Sequence, residues 1–212
     1  MKTWQSLSRR MLAILLSTAM FALAAANTAQ AADDFWAHQI GVQVNVAYGE
    51  DPAQVFDLYL HGQRTGEPDY FAMDSDPRPT LIWIHGGGWI AGDKAAEIPQ
   101  LIPYLERGWN VVNVNYRQGP ASAPEAVDDV LCAYQRVIEI GEATGMPTDQ
   151  IVVSGASAGG HLALLVGMLN TRGEHPCRTA SPPLAVVNGF DIADIEAGQE
   201  FLREALPHGN GT

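Results

Sequence analysis

Apolar runs of strand length alternate with stretches of helical periodicity through most of the chain, and this alternation constrains the fold more than any other feature. The apolar runs predict strands at residues 42–48, 55–60, 80–84, 110–116, 151–154 and 184–188. Helices are predicted at about 98–106, 158–169 and 195–206, with a longer one after Ser122, and a polar surface loop is predicted at 62–79. This alternation predicts an α/β fold, a mostly parallel sheet with helices on both faces.

The longest predicted helix has signals at both of its ends. Ser122 and Glu125 have the spacing of a capping box, and Gly141 or Gly145 would end the helix. Asp128 and Asp129 fall in its first turns, where carboxylates are favoured by the helix dipole. Neither aspartate therefore needs a catalytic explanation.

Composition indicates one globular domain and narrows the class of partner. The chain has 212 residues, of which 47% are apolar and 17% charged, so it can bury a sizeable core. Its 24 acidic residues outnumber the 12 basic ones, and the formal net charge is −12. Such a charge argues against a nucleic acid or an anionic membrane surface as partner, and favours a neutral or cationic small molecule.

The first 31 residues have the pattern of a secretory signal peptide. Lys2, Arg9 and Arg10 precede an apolar run at 11–26, and a small-residue cleavage pattern ends at Ala31. A run of this length is shorter than the roughly 18 to 20 residues needed to cross a bilayer, so no stable membrane anchor is expected. We expect cleavage after Ala31, a single α/β domain at 32–212, and a periplasmic or secreted location. The sequence leaves Sec and twin-arginine export as alternatives.

Cys132 and Cys177 are the two cysteines of the chain. In an exported protein such a pair can form a disulfide, and this pairing is predicted, with two separate thiols as the alternative. Neither cysteine has C-x-x-C spacing or a clustered histidine, so no metal site is predicted.

A G-x-S-x-G pattern runs from Gly155 to Gly159, where a predicted strand ends and a predicted helix begins. That context is required for a nucleophile elbow, a sharp turn that exposes a serine hydroxyl above the sheet at a helix N-terminus. The glycines two residues before and after the serine leave room for the turn. Ser157 is therefore the predicted catalytic nucleophile.

A second glycine-rich segment follows the predicted strand at 80–84. His85 is followed by three glycines and Trp89, and consecutive glycines let backbone N–H groups turn toward a substrate oxygen. The amides of Gly87, Gly88 and Ala158 are the predicted oxyanion hole. A dinucleotide-binding turn would need G-x-G-x-x-G entering a helix, which this segment lacks.

Together, residues 85–89, 115–117, 128–130 and 155–161 resemble the esterases of the α/β-hydrolase fold related to hormone-sensitive lipase. Residues 46–49 and 56–60 resemble more specifically the small bacterial carboxylesterases and feruloyl-esterase-like (BD-FAE-like) enzymes. The resemblance implies hydrolysis of short acyl, acetyl or feruloyl esters through an acyl-enzyme on Ser157, with a histidine base oriented by an acid and no metal or organic cofactor.

The sequence departs from that family after the serine. There the acid and the histidine follow in separate βα units. Only 24 residues follow the predicted strand at 184–188, whereas two further units need roughly 60 to 80. We therefore expect a C-terminally incomplete domain that lacks the last two βα units.

Within the sequence as it stands, Asp191 and His208 are the candidate acid and base, in the right order. His208 lies four residues before the last residue, where chains fray, which makes a precise base harder to build. The other histidines have structural interpretations: His85 fixes the glycine loop, His161 packs one turn along the helix, and His175 is solvated.

Three functions remain open on the sequence alone. The first is a carboxylic ester hydrolase, the second a non-catalytic, ester-binding remnant, and the third a serine peptidase of the same fold. Acyl and alcohol specificity and oligomeric state are not predicted.

Overall fold

The computed structural model describes residues 39–64, 71–73, 77–172 and 175–189. The predicted signal peptide, the predicted helix at 195–206, Asp191 and His208 lie outside the described residues. Contacts divide the chain into two units, residues 1–39 with 62–72 and residues 40–61 with 73–212. The second unit holds the candidate site.

Seven strands are described. They are β1 (Gln39–Ala47), β2 (Val55–Arg64), β3 (Phe71–Met73), β4 (Thr80–Ile84), β5 (Asn110–Val114), β6 (Ile151–Ala156) and β7 (Ala185–Gly189). The described helices are a 3₁₀ helix (Lys94–Glu97), α1 (Ile98–Leu105), α2 (Ala123–Thr144) and α3 (Ala158–Leu169). None of the helices in the described ranges is long and apolar enough to cross a membrane.

The predicted loop at 62–79 is wrong in part. Strand β2 continues to Arg64, and β3 pairs with β2 within the stretch that was expected to lack regular structure. Backbone pairing extends here beyond the apolar run, because hydrogen bonds between strands need no apolar side chain.

The sheet has the order β1-β2-β5-β4-β6-β7, with β3 also paired to β2. β5, β4, β6 and β7 are mutually parallel, and β2 is antiparallel to β5. The prediction of a mostly parallel sheet is therefore confirmed. Because these four strands are parallel, the carboxyl ends of β4, β5, β6 and β7 meet at one edge of the sheet, where a functional site can form.

The central strands are buried on both faces. In β5, Val111 belongs to an apolar cluster with Leu101 of α1, whereas its neighbour Val112 belongs to the larger cluster with Tyr134 of α2 and Leu162 of α3. All five of these side chains are at most 1% exposed. Helices thus cover both faces of the sheet, which explains why all five residues of β5, including Asn110 and Asn113, are buried.

Helix α2 begins and ends beside the predicted residues, but its start is not a capping box. Ser122 occupies the N-cap position, yet its side chain makes no capping bond. The single hydroxyl hydrogen is instead shared between the carbonyl oxygens of Trp89, at 3.0 Å, and Gly119, at 2.8 Å. Gly145 ends the helix in the left-handed conformation, at φ 81°.

A disulfide joins Cys132 of α2 to Cys177, which lies between α3 and β7, with 4.8 Å between the two Cα atoms. Next to the disulfide, His175 contacts two protein groups, so the expectation that it is solvated is wrong. Its Nε2 lies 3.2 Å from Asp128 Oδ1, and its Nδ1 accepts the Cys177 N–H at 3.1 Å. The disulfide and these contacts tie the segment before β7 to the start of α2.

Replacing both cysteines by serine is expected to lower the free energy of unfolding by about 4 kcal/mol, because the disulfide restricts a 45-residue loop of the unfolded chain. Urea unfolding of the oxidised protein, the reduced protein and the double variant measures the effect. The reduced protein and the variant should unfold together, and coincidence of all three transitions would contradict the prediction.

Candidate active site

Ser157 lies in a sharp turn between β6 and α3, in a backbone conformation that is rare for a residue with a side chain. Its φ is 54° and its ψ is −120°, a strain that costs on the order of 1–3 kcal/mol and that clusters at functional sites. The turn is held by two backbone bonds. Ser157 N–H donates to Gly189 O at 3.2 Å, and Ser157 O accepts from His161 N–H at 3.1 Å. The side chain is half-buried and so reachable from solvent.

The glycines that flank the serine are required by close packing. A Cβ at Gly159 would lie 2.5 Å from the carbonyl oxygen of His85, and closer still to that of Ile84. A Cβ at Gly155 would lie 2.5 Å from the Gly159 carbonyl carbon. Helix α3 can therefore begin against the end of β4 only because these positions carry no side chain.

Alanine at Gly159 is expected to lower the free energy of unfolding by about 3 kcal/mol, since the added methyl meets backbone atoms that cannot rotate away. Gly145→Ala is the matched control. It adds the same methyl into open space at φ 81°, and should cost only about 1 kcal/mol. Chemical unfolding measures both, and equal losses would show that packing at Gly159 is not the cause.

The sheet register brings the second glycine segment to the serine. Ile84 of β4 pairs with Gly155 of β6, so the residues after Ile84 lie beside Ser157. A Cβ at Gly86 would lie 3.3 Å from the Cβ of Ser157, which puts the loop backbone in contact with the serine. Gly87 and Gly88 follow, both exposed, and both with positive φ, at 121° and 62°.

We call residues 86–92 the glycine loop. It closes on itself, because Ile90 and Ala91 donate their N–H groups to Gly87 O at 3.2 and 3.1 Å. The third predicted oxyanion donor, Ala158, is the first residue of α3, and the first amides of a helix have no acceptor within it. The structure thus places Gly87, Gly88, Ser157 and Ala158 on adjoining turns at one edge of the sheet.

His85 lies under the glycine loop with both ring nitrogens engaged. Nδ1 is 2.7 Å from Gly86 O, and Nε2 is 3.2 Å from the amide nitrogen of Gln118. The ring stacks on Tyr116 with 4.4 Å between centroids. Burial keeps the pKa of His85 below its ordinary value, so the neutral form is favoured. His85 is therefore a structural residue and not a base for Ser157.

His161 and Trp89 meet beside the serine. The Trp89 ring lies edge-on to the His161 ring, with 5.4 Å between centroids, and Trp89 is half-buried against the main core cluster. Trp89 also has a positive φ of 64°. The glycine loop is thus continued by an aromatic side chain packed one helical turn beyond Ser157.

Asp129 has a role that its position in the helix did not reveal. It is fully buried, and it accepts from the guanidinium of Arg117 at 2.6 Å, from the Arg117 N–H at 2.8 Å and from the Gln54 amide at 2.6 Å. The helix-dipole explanation is therefore insufficient for this residue. An arginine just after a strand, followed by an acid in the next helix, is the signal that could have indicated the pair.

A buried ion pair anchors the chain just beyond the glycine loop. Lys94, 8% exposed, places its Nζ 2.8 Å from a carboxylate oxygen of Asp57 in β2. Its backbone N–H donates to the side-chain oxygen of Asn115 at 2.6 Å. The loop therefore runs between two fixed points, the end of β4 and the 3₁₀ helix.

The candidate acid and base, Asp191 and His208, are not among the described residues. The nearest described position is Gly189, two residues before Asp191, which accepts the hydrogen bond from Ser157 N–H. Cys132, His175 and Cys177 form a cluster of metal-ligand types within 4.8 Å, but the disulfide occupies both sulfurs.

A family model and the similar proteins of known name point to the same class of enzyme. The BD-FAE family model matches residues 70–201, more than half of the chain. Esterase LipC of Mycobacterium tuberculosis is 32% identical over 125 residues, which are 58% of this chain and 29% of LipC. Lipase 2 of Moraxella sp. is 39% identical over 95 residues, 43% of this chain and 22% of that protein.

Solved structures agree with this. Esterase B from Lactobacillus rhamnosis matches with a TM-score of 0.58 and 25% identity, over 86% of this chain and 60% of that one. The chain spans less than a third of the length of LipC and Lipase 2, and less than two thirds of esterase B. With its mostly parallel sheet and its serine turn, the chain belongs to the BD-FAE family and has the α/β-hydrolase fold.

Proposed function

We propose that this chain carries the nucleophile and the oxyanion loop of a carboxylic ester hydrolase. The observation that carries the proposal is the strained turn at Ser157 directly beside Gly86 of the glycine loop. Strain at a half-buried serine is retained where an exposed hydroxyl is needed for chemistry. Relatives named as esterases and lipases support the same reaction class.

The reaction assigned to these residues has two stages. Ser157 Oγ attacks the ester carbonyl, its proton passes to a base, and the N–H groups of Gly87, Gly88 and Ala158 donate to the oxyanion that forms. Collapse releases the alcohol, which takes up the proton, and leaves an acyl group on Ser157. Water then attacks the acyl group and releases the acid, which restores the serine. Asp191 and His208 are this chain's candidates for the acid and the base.

Short acyl, acetyl or feruloyl esters are the proposed substrates. Esterase B has been solved with a tributyrin phosphonate as inhibitor. Trp89, half-buried beside the serine turn, offers an apolar surface against which a short acyl chain or an aromatic ring can pack.

We also propose that the protein is exported from the cytoplasm. The disulfide between Cys132 and Cys177 fits an oxidising compartment, and residues 1–31 have the signal-peptide pattern. Fractionation of the producing cells and N-terminal sequencing should give a periplasmic or secreted chain that begins at Ala32. A cytoplasmic chain that retains residues 1–31 would contradict this.

A fluorophosphonate probe tests the central proposal. The folded full chain should gain one adduct, mapped by peptide mass spectrometry to Ser157, and Ser157→Ala should gain none. A folded, disulfide-bonded chain without adduct would favour the non-catalytic alternative. Turnover of a butyrate ester should exceed that of a matched peptide anilide, and cleavage of the anilide alone would favour a peptidase.

A further inference from the structure

The glycine loop is contacted by residues 116–122, a segment that follows β5 and that we call the clamp segment. Tyr116 stacks on His85 and donates its hydroxyl to His85 O at 3.1 Å. The N–H of Gly119 and the hydroxyl of Ser122 both donate to Trp89 O, at 3.2 and 3.0 Å. The loop's conformation therefore depends on contacts that lie outside its own sequence.

We propose that Gln118, in the middle of the clamp segment, is a positioning residue that fixes the glycine loop for catalysis. Its amide nitrogen lies 3.2 Å from His85 Nε2 and 3.0 Å from Gly92 O. The inference rests on the proposed function, because its catalytic consequence requires that the loop stabilise an oxyanion.

The hydrogen atoms of this network can be assigned from donor and acceptor chemistry alone. A carbonyl oxygen only accepts, so His85 Nδ1 carries the proton that bonds to Gly86 O. In the neutral ring, Nε2 is then an acceptor. The amide nitrogen of Gln118 has two hydrogens, and they match two acceptors, His85 Nε2 and Gly92 O. Gln118 thus favours the same tautomer of His85 as Gly86 O does, the one protonated at Nδ1.

The two ends of this network lie on either side of two of the three oxyanion donors, Gly87 and Gly88. Gly86 lies directly before Gly87 and Gly88, and Gly92 ends the loop. Gly92 has a φ of 116°, and a Cβ there would lie 2.5 Å from His85 Nδ1, so its backbone passes directly against the ring. One side chain therefore connects both ends of the loop through the His85 ring. The direction of the Gly87 and Gly88 N–H groups is set before a substrate arrives.

Loss of the network should act on the transition state more than on substrate binding. A ground-state carbonyl gains little from the oxyanion donors, whereas the tetrahedral intermediate depends on them. A misplaced loop therefore lowers kcat and leaves KM nearly unchanged. Loss of a side chain that only filled space would not lower kcat while leaving KM nearly unchanged.

Two variants of Gln118 remove the donors in different ways. Gln118→Glu keeps the size and replaces the two N–H donors by an acceptor, and Gln118→Met removes the donors without adding charge. Gln100→Glu, at an exposed position of α1, is the matched control for charge. With a butyrate ester, both Gln118 variants should lose roughly 10- to 100-fold in kcat with KM within about twofold, and the control should equal the wild type. An unchanged kcat in Gln118→Met would overturn the proposal.

A readout that does not depend on activity separates this proposal from the proposed function. In ¹⁵N NMR spectra, with the His85 signals assigned by their loss in His85→Gln, the wild type should show a neutral ring protonated at Nδ1. Gln118→Glu should show the imidazolium or the Nε2–H tautomer instead. A wild-type ring protonated at Nε2 would overturn the network. The expected tautomer in a chain that neither hydrolyses esters nor reacts with the phosphonate would contradict the proposed function instead.

Discussion

Alanine in place of Ser157 is expected to lower kcat for a short-chain ester by roughly 10⁶-fold, the scale observed when a catalytic serine is removed from a serine hydrolase. The covalent route is lost with the hydroxyl. Residual turnover of about 10³ to 10⁴ over water should remain, because the oxyanion donors and the binding surface are intact. Initial rates with the full chain measure the loss.

The fold should be little affected by this change, because alanine can occupy the same turn and the backbone bonds of Ser157 to Gly189 and His161 remain. Ser181→Ala is the matched control. Ser181 precedes β7 and so lies at the opposite end of the parallel sheet from Ser157. Equal rates in the wild type and in Ser157→Ala would show that another residue carries the chemistry.

Asp129→Ala is expected to lower the free energy of unfolding by about 2–3 kcal/mol, the range for leaving buried hydrogen-bond donors without their acceptor. Asp129 is 0% exposed, and it satisfies three donors, the Arg117 guanidinium, the Arg117 N–H and the Gln54 amide. Without the carboxylate, the Gln54 amide and the Arg117 N–H lose their acceptor at a partly buried place. Since folded domains are stable by only about 5–15 kcal/mol, this loss is large.

The neighbouring aspartate provides the control. Asp128 carries the same charge in the same helical turn, but its side chain is 57% exposed, and within the described residues its ion pair is with the side chain of His175. Asp128→Ala should cost no more than about 0.5 kcal/mol, as for most exposed ion pairs. Urea unfolding of both variants measures the difference. Equal losses would mean that charge at the start of α2, and not burial, determines the effect.

The sequence predicts the scaffold well where a single run of residues determines it. Thr80–Ile84 and Ala158–Leu169 are found with the predicted bounds. Ser157 is found between strand and helix, where the glycines around it leave room for the sharp turn. The parallel sheet then brings the residues after Ile84 to those after Gly155, which follows from the register of two apolar strands.

The contacts that hold the glycine loop could not be predicted in this way. Gln118 and His85 are 33 residues apart, and their contact depends on how far each loop extends beyond its strand. The Ser122 hydroxyl is a similar case. Its spacing to Glu125 predicts a cap, in which the hydroxyl oxygen would accept a backbone N–H of the helix. The side chain instead donates its hydroxyl hydrogen to Trp89 O, because tertiary structure brings that carbonyl within 3.0 Å.

The disulfide between Cys132 and Cys177 has a consequence for how the protein would survive proteases. The covalent ring that it closes contains most of α2, all of β6, Ser157 and α3. A single cleavage of the backbone anywhere between these cysteines therefore leaves both pieces linked through sulfur. The two halves would separate only after reduction, so a nicked chain can retain its serine turn in an oxidising medium.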